Sequence, residues 1–120
     1  MRQSIIIYEQ DDLMRTLLEE WLKNAGYRVH GVASHSAPVD HADLVIVSLY
    51  MPKHAGARLV DEIRAAYPGT PMVAISGQFR SGLSTNGATA QTLGVAQVIA
   101  KPLTREALLA TVRAMIGPPN

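Results

Sequence analysis

The sequence predicts a doubly wound α/β fold, in which helices cover both faces of a parallel sheet. Three continuous apolar runs of β-rich composition, at residues 4–8, 44–49 and 71–76, are typical of strands that are buried on both faces. Two weaker runs, at residues 27–32 and 96–100, bring the expected number of strands to five. Helical patterns lie between several of these runs. Strands that alternate with helices indicate right-handed crossovers within one parallel sheet.

The clearest helical pattern follows the first strand. Asp11 or Asp12 is expected to cap the start of this helix, and Gly26 is expected to end it. Its apolar residues recur at helical spacing, so we expect them to face the core. These residues are Leu13, Leu17, Leu18, Trp21, Leu22 and Ala25.

Two further helices are predicted near the middle and the end of the chain. One runs over residues 57–67 and stops at Pro68. The other runs over residues 104–117, where Thr104 is the expected N-cap. Four of its residues are expected to face inward: Leu108, Val112, Met115 and Ile116.

Two connections depart from the regular alternation. Residues 33–42 contain Pro38 and little periodicity, so the helix of the second crossover is expected to be shortened to a turn or two. Residues 77–94 are rich in Gly, Ser and Thr, and only residues 88–93 have helical character. The fourth helix is therefore expected to be irregular.

Length, charge and composition restrict the class of protein. The 120 residues suit one domain, 1–120. The net charge is +1 and the basic residues are scattered, which argues against a nucleic-acid partner. Cysteine is absent, so thiol chemistry and disulfides are excluded. No apolar run reaches the ~18 residues that span a bilayer, so we expect no membrane contact and a cytoplasmic location.

In a doubly wound sheet, chemistry gathers at the carboxyl ends of the strands. Here those ends carry the sequence Glu9-Gln10-Asp11, then Ser48, Ser76 and Lys101. Taken in order, the segments around them resemble the response-regulator receiver domain, a CheY-like family of bacterial two-component signalling. The segments that carry the resemblance are residues 5–29, 43–64, 70–77 and 94–112.

The resemblance implies a flavodoxin-like (βα)5 three-layer sandwich and a phosphorylation switch. In the family, magnesium lies between an acidic pair after the first strand and an aspartate after the third, and that aspartate accepts a phosphoryl group. A hydroxyl and a lysine then bind the phosphoryl oxygens, because the added negative charge must be offset. An aromatic residue in the fifth strand reports the change.

Part of this machinery matches the present sequence. Glu9 occupies the first acidic position, Ser76 the hydroxyl position and Lys101 the lysine position. These residues, together with Gln10 and Asp11, are the expected pocket.

Three positions depart from the family pattern. Ser48 stands where the acceptor aspartate belongs, Gln10 where the second carboxylate belongs, and Val98 where the aromatic switch belongs. Asp43 lies at the other end of its strand and cannot substitute for the acceptor. The resemblance therefore predicts an atypical pseudo-receiver in which Ser48 is a degenerate phospho-acceptor position.

We expect no catalytic residues, no cofactor and no bound magnesium. Replacing two of three carboxylates removes charge that a hard cation needs, which leaves Glu9 and Asp11 as the candidate metal ligands. Asp11 is better suited to capping the helix. Lys101 is expected to pair with Glu9 or Asp11, because an ammonium without a partner is costly to bury.

The expected function is phosphorylation-independent protein–protein interaction in a two-component or phosphorelay pathway. The expected partner is a protein, such as a histidine kinase or another signalling protein, and the domain is expected to be a monomer or a weak homodimer. Two alternatives stay open. In the first, the chain is a phosphorylatable receiver whose acceptor position is substituted at Ser48. In the second, it is a small-ligand binder or a hydrolase on the same fold, with Lys101 as the base for Ser48.

Overall fold

The computed structural model describes residues 3–32, 42–48, 54–76, 97–100 and 104–118. In chain order its elements are β1 (Ser4–Tyr8), α1 (Asp12–Ala25), β2 (Arg28–Val32), β3 (Leu44–Ser48), α2 (His54–Ala66), β4 (Met72–Ser76), β5 (Gln97–Ala100) and α3 (Arg105–Ile116). Each predicted strand is present, and its bounds agree with the apolar runs to within one residue.

The five strands form one parallel sheet in the order β2-β1-β3-β4-β5. Strands β1 and β3 are therefore central and adjacent, and each is hydrogen-bonded on both sides. This order confirms the predicted doubly wound parallel sheet of five strands.

Two core layers pack against opposite faces of the sheet, because successive side chains of a strand point to opposite faces. The first layer joins the sheet to α2 and includes Ile6, Tyr8, Val45, Val47, Val60, Ile63, Tyr67, Met72 and Ala74. The second joins the sheet to α1 and α3 and includes Ile5, Ile7, Leu18, Leu22, Leu44, Ile46, Val73, Ile75, Leu108 and Val112. All the strand residues in both layers are buried.

The predicted inward face of α1 was partly wrong. Leu13 is 84% exposed and Leu17 is 37% exposed, whereas Leu18 and Leu22 are fully buried. The other apolar residues of α1, Met14, Trp21 and Ala25, are partly buried against the core. The helix carries two neighbouring apolar stripes, and only the stripe centred on Leu18 and Leu22 can face the sheet.

Local capping chemistry sets the helix ends as predicted. The Asp11 carboxylate accepts a hydrogen bond from the Met14 amide at 2.9 Å, and Gly26 ends α1 in the left-handed conformation at φ 111°. The Thr104 hydroxyl accepts from the Ala107 amide at 3.1 Å at the start of α3.

Some predictions differ in their bounds or fall outside the described residues. Helix α2 begins at His54, three residues before its predicted start, and ends one residue earlier than predicted. The shortened second helix and the irregular fourth helix fall within residues 33–41 and 77–96, which lie outside the described part of the chain. Among the described helices, none is long and apolar enough to cross a membrane.

Candidate functional site

The carboxyl ends of the central strands bring Glu9 and Ser48 together. Tyr8 of β1 is in register with Val47 of β3, and the next residues are Glu9, which directly follows β1, and Ser48, which ends β3. Both side chains point to the sheet face that carries α1 and α3, since each lies two residues beyond a residue of that core layer. Glu9 is 1% exposed and Ser48 is 5% exposed. The predicted acceptor position and the first acidic position are thus buried neighbours.

Ser48 presents a neutral hydroxyl to this site. Within the described part of the chain, its Oγ atom makes no hydrogen bond. On its other side, Ser48 is in register with Ile75 of β4, an apolar residue of the same core layer. A serine becomes a nucleophile when an adjacent base takes its proton, and the described residues place no such base on Ser48 Oγ.

The acidic turn, defined as residues 9–12, connects β1 to α1, and nearby protein groups donate hydrogen bonds to its carboxylates. Glu9 Oε2 accepts a hydrogen bond from the Asp11 amide at 3.1 Å. The Asp11 carboxylate caps α1, as predicted, and the Asp12 carboxylate contacts the Arg15 guanidinium at 2.5 Å. Gln10, at the second acidic position, is exposed. Each of the three carboxylates of the turn thus accepts at least one hydrogen bond from a protein donor.

Arg15 is a contributor to this site that sequence reasoning missed. Its Nη1 atom donates a 2.9 Å hydrogen bond to the backbone carbonyl oxygen of Glu9, while its Nη2 atom contacts Asp12. The three-residue spacing of Asp12 and Arg15 on a helix is a detectable signal for the ion pair. The bond to a backbone carbonyl has no such signal.

A buried tyrosine pair lies on the opposite face of the same strand end. Tyr8 directly precedes Glu9, and its hydroxyl shares a hydrogen bond with that of Tyr67, which follows α2. Burial, and then this hydrogen bond, raise the pKa of the Tyr8 hydroxyl well above its usual value. The end of β1 therefore carries a buried polar side chain on each face of the sheet, Tyr8 on one and Glu9 on the other.

The remaining predicted residues are placed by the backbone alone or lie outside the described residues. Strand β4 ends at Ser76, in register with Ala100 at the end of β5, and Val98 of β5 is in register with Ala74. Lys101 lies outside the described part of the chain. Asp43 lies at the amino end of β3, as predicted, where its carboxylate accepts a 2.8 Å hydrogen bond from the Ser4 amide.

Two further features describe the surroundings of the site. In the described ranges, no group of three or more His, Asp or Glu side chains could hold a metal ion. A cleft of about 350 Å³ lies between α1 and α3, where Trp21 and Leu109 line it together with Arg105 and Arg113. Neither Glu9 nor Ser48 lines this cleft.

Comparison with known proteins gives consistent matches to one family. A family model described as "Response regulator receiver domain" matches residues 5–113. The transcriptional regulatory protein MalR of Bacillus subtilis (strain 168) is 29% identical over an alignment of 80 residues that covers 61% of this chain and 34% of MalR. The chain therefore spans about a third of the length of that relative.

Solved structures match over nearly the whole chain. Chemotaxis protein CheY4 of Vibrio cholerae has a TM-score of 0.78 at 20% identity, with 96% of this chain and 99% of that chain covered. The receiver domain of the sensor histidine kinase PA1611 from Pseudomonas aeruginosa PAO1 has a TM-score of 0.76 at 27% identity, with 98% and 99% covered. In that structure a magnesium ion is coordinated in the active site cleft. These matches confirm the predicted flavodoxin-like fold.

Proposed function

Because the chain belongs to the response regulator receiver domain family, we propose that it is a signalling module that works without aspartyl phosphorylation. In this proposal it acts through contacts with another protein of a two-component or phosphorelay pathway. Receiver domains of this family take part in two-component signalling and interact with proteins such as histidine kinases.

The observation that carries the proposal is the buried, neutral hydroxyl of Ser48 at the acceptor position. A phospho-accepting receiver needs a carboxylate there, because the aspartate attacks the phosphoryl donor directly. Ser48 is 5% exposed, and its Oγ atom has no base bonded to it within the described residues. A serine in this setting is a poor nucleophile toward a phosphoryl donor.

The residues at the site do not fit the magnesium ion that the family implies. Magnesium requires hard, anionic oxygen ligands in near-octahedral order. Ser48 supplies a neutral hydroxyl, Gln10 is exposed, and Asp11 is used as a helix cap. Glu9 is then the one buried carboxylate of the described site, so we derive no step through magnesium.

Two further residues complete the proposed pocket, and Val98 stands at the switch position. Ser76 and Lys101 retain the family's hydroxyl and lysine, and we propose that Lys101 pairs with Glu9 or Asp11 in place of a phosphoryl group. Val98 supplies no aromatic ring to report a change of state. In this arrangement the domain holds one state, and the level of the partner replaces phosphate as the variable.

The exposed stripe of α1 supports a role in protein contact. Leu13 and Leu17 lie directly after the acidic turn and keep much of their apolar surface in water. Leu13 and Leu17 are four residues apart on the helix, so their exposed apolar surfaces adjoin, and contiguous exposed apolar surface is the kind that marks protein contact sites. We propose that a signalling partner such as a histidine kinase covers this stripe.

Treatment with a small phosphoryl donor tests the proposal directly. The domain is incubated with acetyl phosphate and magnesium chloride, and its intact mass is measured. We expect the unmodified domain to gain no phosphoryl group. The Ser48→Asp variant is the matched control, because it restores the carboxylate at this position. A phosphoryl group on the unmodified domain would contradict the proposal.

Partner capture tests the second half of the proposal. Purified domain and its Ser48→Asp variant are each used to capture proteins from the native cell. We expect both to retain the same signalling partner with equal strength, and Leu13→Gln to lose it. A partner held by the aspartate variant alone would show that binding depends on the phosphorylated state.

A further inference from the structure

The exposed apolar surface of α1 continues beyond Leu17. Leu13, Leu17 and Trp21 follow one another at four-residue spacing, so they form one row about 12 Å long on the helix, called here the α1 row. Leu13 and Leu17 are exposed, and Trp21 is partly buried and also lines the cleft between α1 and α3. The row therefore begins on open surface beside the acidic turn and ends in a cleft.

Two exposed charges of opposite sign flank the α1 row, one near each end. Asp12 lies in the first turn of α1 and Lys23 in the last. They are eleven residues apart, which is three helical turns to within about 20°, so both lie on the same side of the row. Asp12 contacts Arg15 and Lys23 contacts Glu19 on the same helix, yet their side chains stay 85% and 55% exposed.

This arrangement is self-complementary. A two-fold axis beside Leu17, perpendicular to α1, places the same helix of a second copy antiparallel to the first. Leu13 of each copy then packs on Trp21 of the other, with the two Leu17 side chains at the centre. Asp12 of each copy faces Lys23 of the other, so one ion pair forms at each end. A two-fold interface requires this relation, in which residue i contacts j and j contacts i.

The charges beside the row favour a second copy as its occupant. A surface that fits the row must present a basic group opposite Asp12, an acidic group opposite Lys23 and apolar side chains between them. Helix α1 of a second copy, running in the reverse direction, supplies these groups in this order. Its acidic turn then lies at the end of α1 that carries the cleft, where Arg105 and Arg113 line the wall. Opposite charges therefore meet at both ends of the contact.

We propose that two copies of this domain pair through the α1 row, antiparallel about a two-fold axis at Leu17. The contact is small and its ion pairs are exposed, so the association is weak and depends on concentration. The pairing covers the stripe of Leu13 and Leu17 to which the proposed function assigns a signalling partner. Dimer and partner therefore exclude each other; this consequence rests on the proposed function, whereas the dimer itself does not.

Sedimentation equilibrium of the purified domain, between about 1 μM and about 1 mM, tests the pairing. We expect the mean mass to rise from one copy to two and no further, because a two-fold interface is closed. Leu13→Gln is expected to raise the dissociation constant by at least about tenfold, since Leu13 fills the contact at both ends. A mass that stays at one copy or grows beyond two overturns the inference, as does a Leu13→Gln variant that dimerises normally.

Charge reversal tests whether the occupant is a second, antiparallel copy. Asp12→Lys and Lys23→Asp each bring like charges together at both ends, so each variant alone is expected to dimerise at least about tenfold more weakly. An equal mixture of the two restores both ion pairs between unlike copies and is expected to dimerise nearly as tightly as the unmodified domain. A mixture that is no tighter than its components overturns the antiparallel arrangement.

Asp61→Lys is the matched control for these reversals. Asp61 is a 70% exposed carboxylate that contacts an arginine three residues away, as Asp12 does, but it lies on α2. Its reversal is expected to leave the dissociation constant unchanged, and an equal weakening would show that the effect of Asp12 is one of net charge and overturn the inference. Circular dichroism verifies that each variant is folded before it is compared.

A single introduced thiol locates the two-fold axis, because the sequence contains no cysteine. Leu17→Cys places the thiols of two copies side by side, so mild oxidation with copper phenanthroline is expected to give a covalent dimer. Glu62→Cys, at an exposed position of α2, is the control and is expected to stay monomeric under the same conditions. Equal cross-linking of the two variants overturns the placement of the axis at Leu17.

Failure of this inference is distinct from failure of the proposed function. If the purified domain stays monomeric while Leu13→Gln still loses a cellular partner, the stripe serves that partner alone. The dimer is then wrong and the proposed function stands. If the unmodified domain accepts a phosphoryl group and still dimerises as described, the proposed function is wrong and the dimer stands.

Discussion

The hydroxyl of Tyr27 donates a 2.7 Å hydrogen bond to the carbonyl oxygen of Gly117, the residue that follows α3. Gln3 reinforces this contact, because its Nε2 atom donates to the carbonyl oxygens of Ile116 and Pro118 at 3.2 Å and 2.8 Å. The last carbonyls of a helix lack partners within the helix. Side chains at the amino edge of the sheet supply them here and fasten α3 to the start of the chain.

Replacing Tyr27 with phenylalanine is expected to loosen this attachment. The ring stays in its buried position while the hydroxyl is lost, so the free energy of unfolding is expected to fall by about 1 kcal/mol. Urea unfolding followed by circular dichroism measures the loss, and amide exchange is expected to rise mainly in the last turn of α3. An unchanged midpoint would mean that water replaces the hydroxyl at no cost.

Removal of the Ser48 hydroxyl is expected to stabilise the protein. Among the described residues the Ser48 hydroxyl has no hydrogen-bond partner. Burying an unbonded hydroxyl is costly, so Ser48→Ala is expected to raise the free energy of unfolding by about 1 kcal/mol. Thr70→Val is the matched control, because the Thr70 hydroxyl donates to the Ala42 carbonyl oxygen at 3.3 Å, and its loss is expected to destabilise. A destabilised Ser48→Ala variant would indicate that the hydroxyl has a partner in the folded protein.

Introduction of a carboxylate at the same position is expected to have the opposite effect. Ser48→Asp puts a second buried carboxylate level with Glu9, so stability at neutral pH is expected to fall by more than about 2 kcal/mol. Magnesium chloride is expected to raise the melting temperature of this variant and to leave that of the unmodified protein unchanged. Equal responses of the two proteins would contradict the interpretation of Ser48 as the missing ligand.

The two apolar stripes of α1 are expected to respond differently to substitution. Leu13→Gln changes an exposed side chain and is expected to alter stability by less than about 0.5 kcal/mol. Leu18→Ala opens a cavity in the core and is expected to cost about 3 kcal/mol. Chemical denaturation of both variants measures the difference, and a large loss in Leu13→Gln would show that the stripe is covered in the folded protein.

The tyrosine pair predicts a loss of stability in alkali. The pKa of Tyr8 is raised above its ordinary value of 10.0, chiefly by burial. Above about pH 10 the unfolded chain releases the Tyr8 proton while the folded chain keeps it, so the free energy of unfolding falls by up to about 1.4 kcal/mol per pH unit. Below that pH the contribution is constant.

Denaturation measured in steps from pH 9 to pH 11, about one unit on either side of the ordinary tyrosine pKa, tests this dependence. Tyr8→Phe removes the titrating group, so its stability is expected to fall less steeply with pH. A residual slope is expected because burial also raises the pKa of Tyr27. Identical slopes in the variant and the unmodified protein would show that Tyr8 does not resist ionisation.

Sequence patterns predict the strands and caps of this protein because their signals are local. A continuous apolar run such as residues 44–49 has to be buried on both faces, and Asp11 and Thr104 cap helices by contacts with amides three residues away. Helical periodicity is less decisive in α1. Spacing alone gives equal support to the stripe of Leu13 and to that of Leu18, and only packing against the sheet selects one.

The candidate site was predicted in part for the same reason. Glu9 and Ser48 follow strands that the sequence predicts, so their places at the carboxyl ends of β1 and β3 could be expected, whereas their roles stay a prediction. The bond from Arg15 to the Glu9 carbonyl and its fit on Gly31 depend on the distance between α1 and β2, which no residue pattern encodes. The contact of Tyr8 with Tyr67 likewise requires the assembled core.

Asp43, which is too far away to replace the missing acceptor, nevertheless governs the position where that acceptor would stand. Its amide donates to the Ser4 carbonyl oxygen and its carboxylate accepts from the Ser4 amide, both at 2.8 Å, so it fastens β3 to β1 at their first residues. A slip of one residue would turn every side chain of a strand to the other face. The hydrogen bonds of Asp43 thus help to set the register of β1 and β3 at their amino ends, and this register keeps Ser48 beside Glu9 at their carboxyl ends.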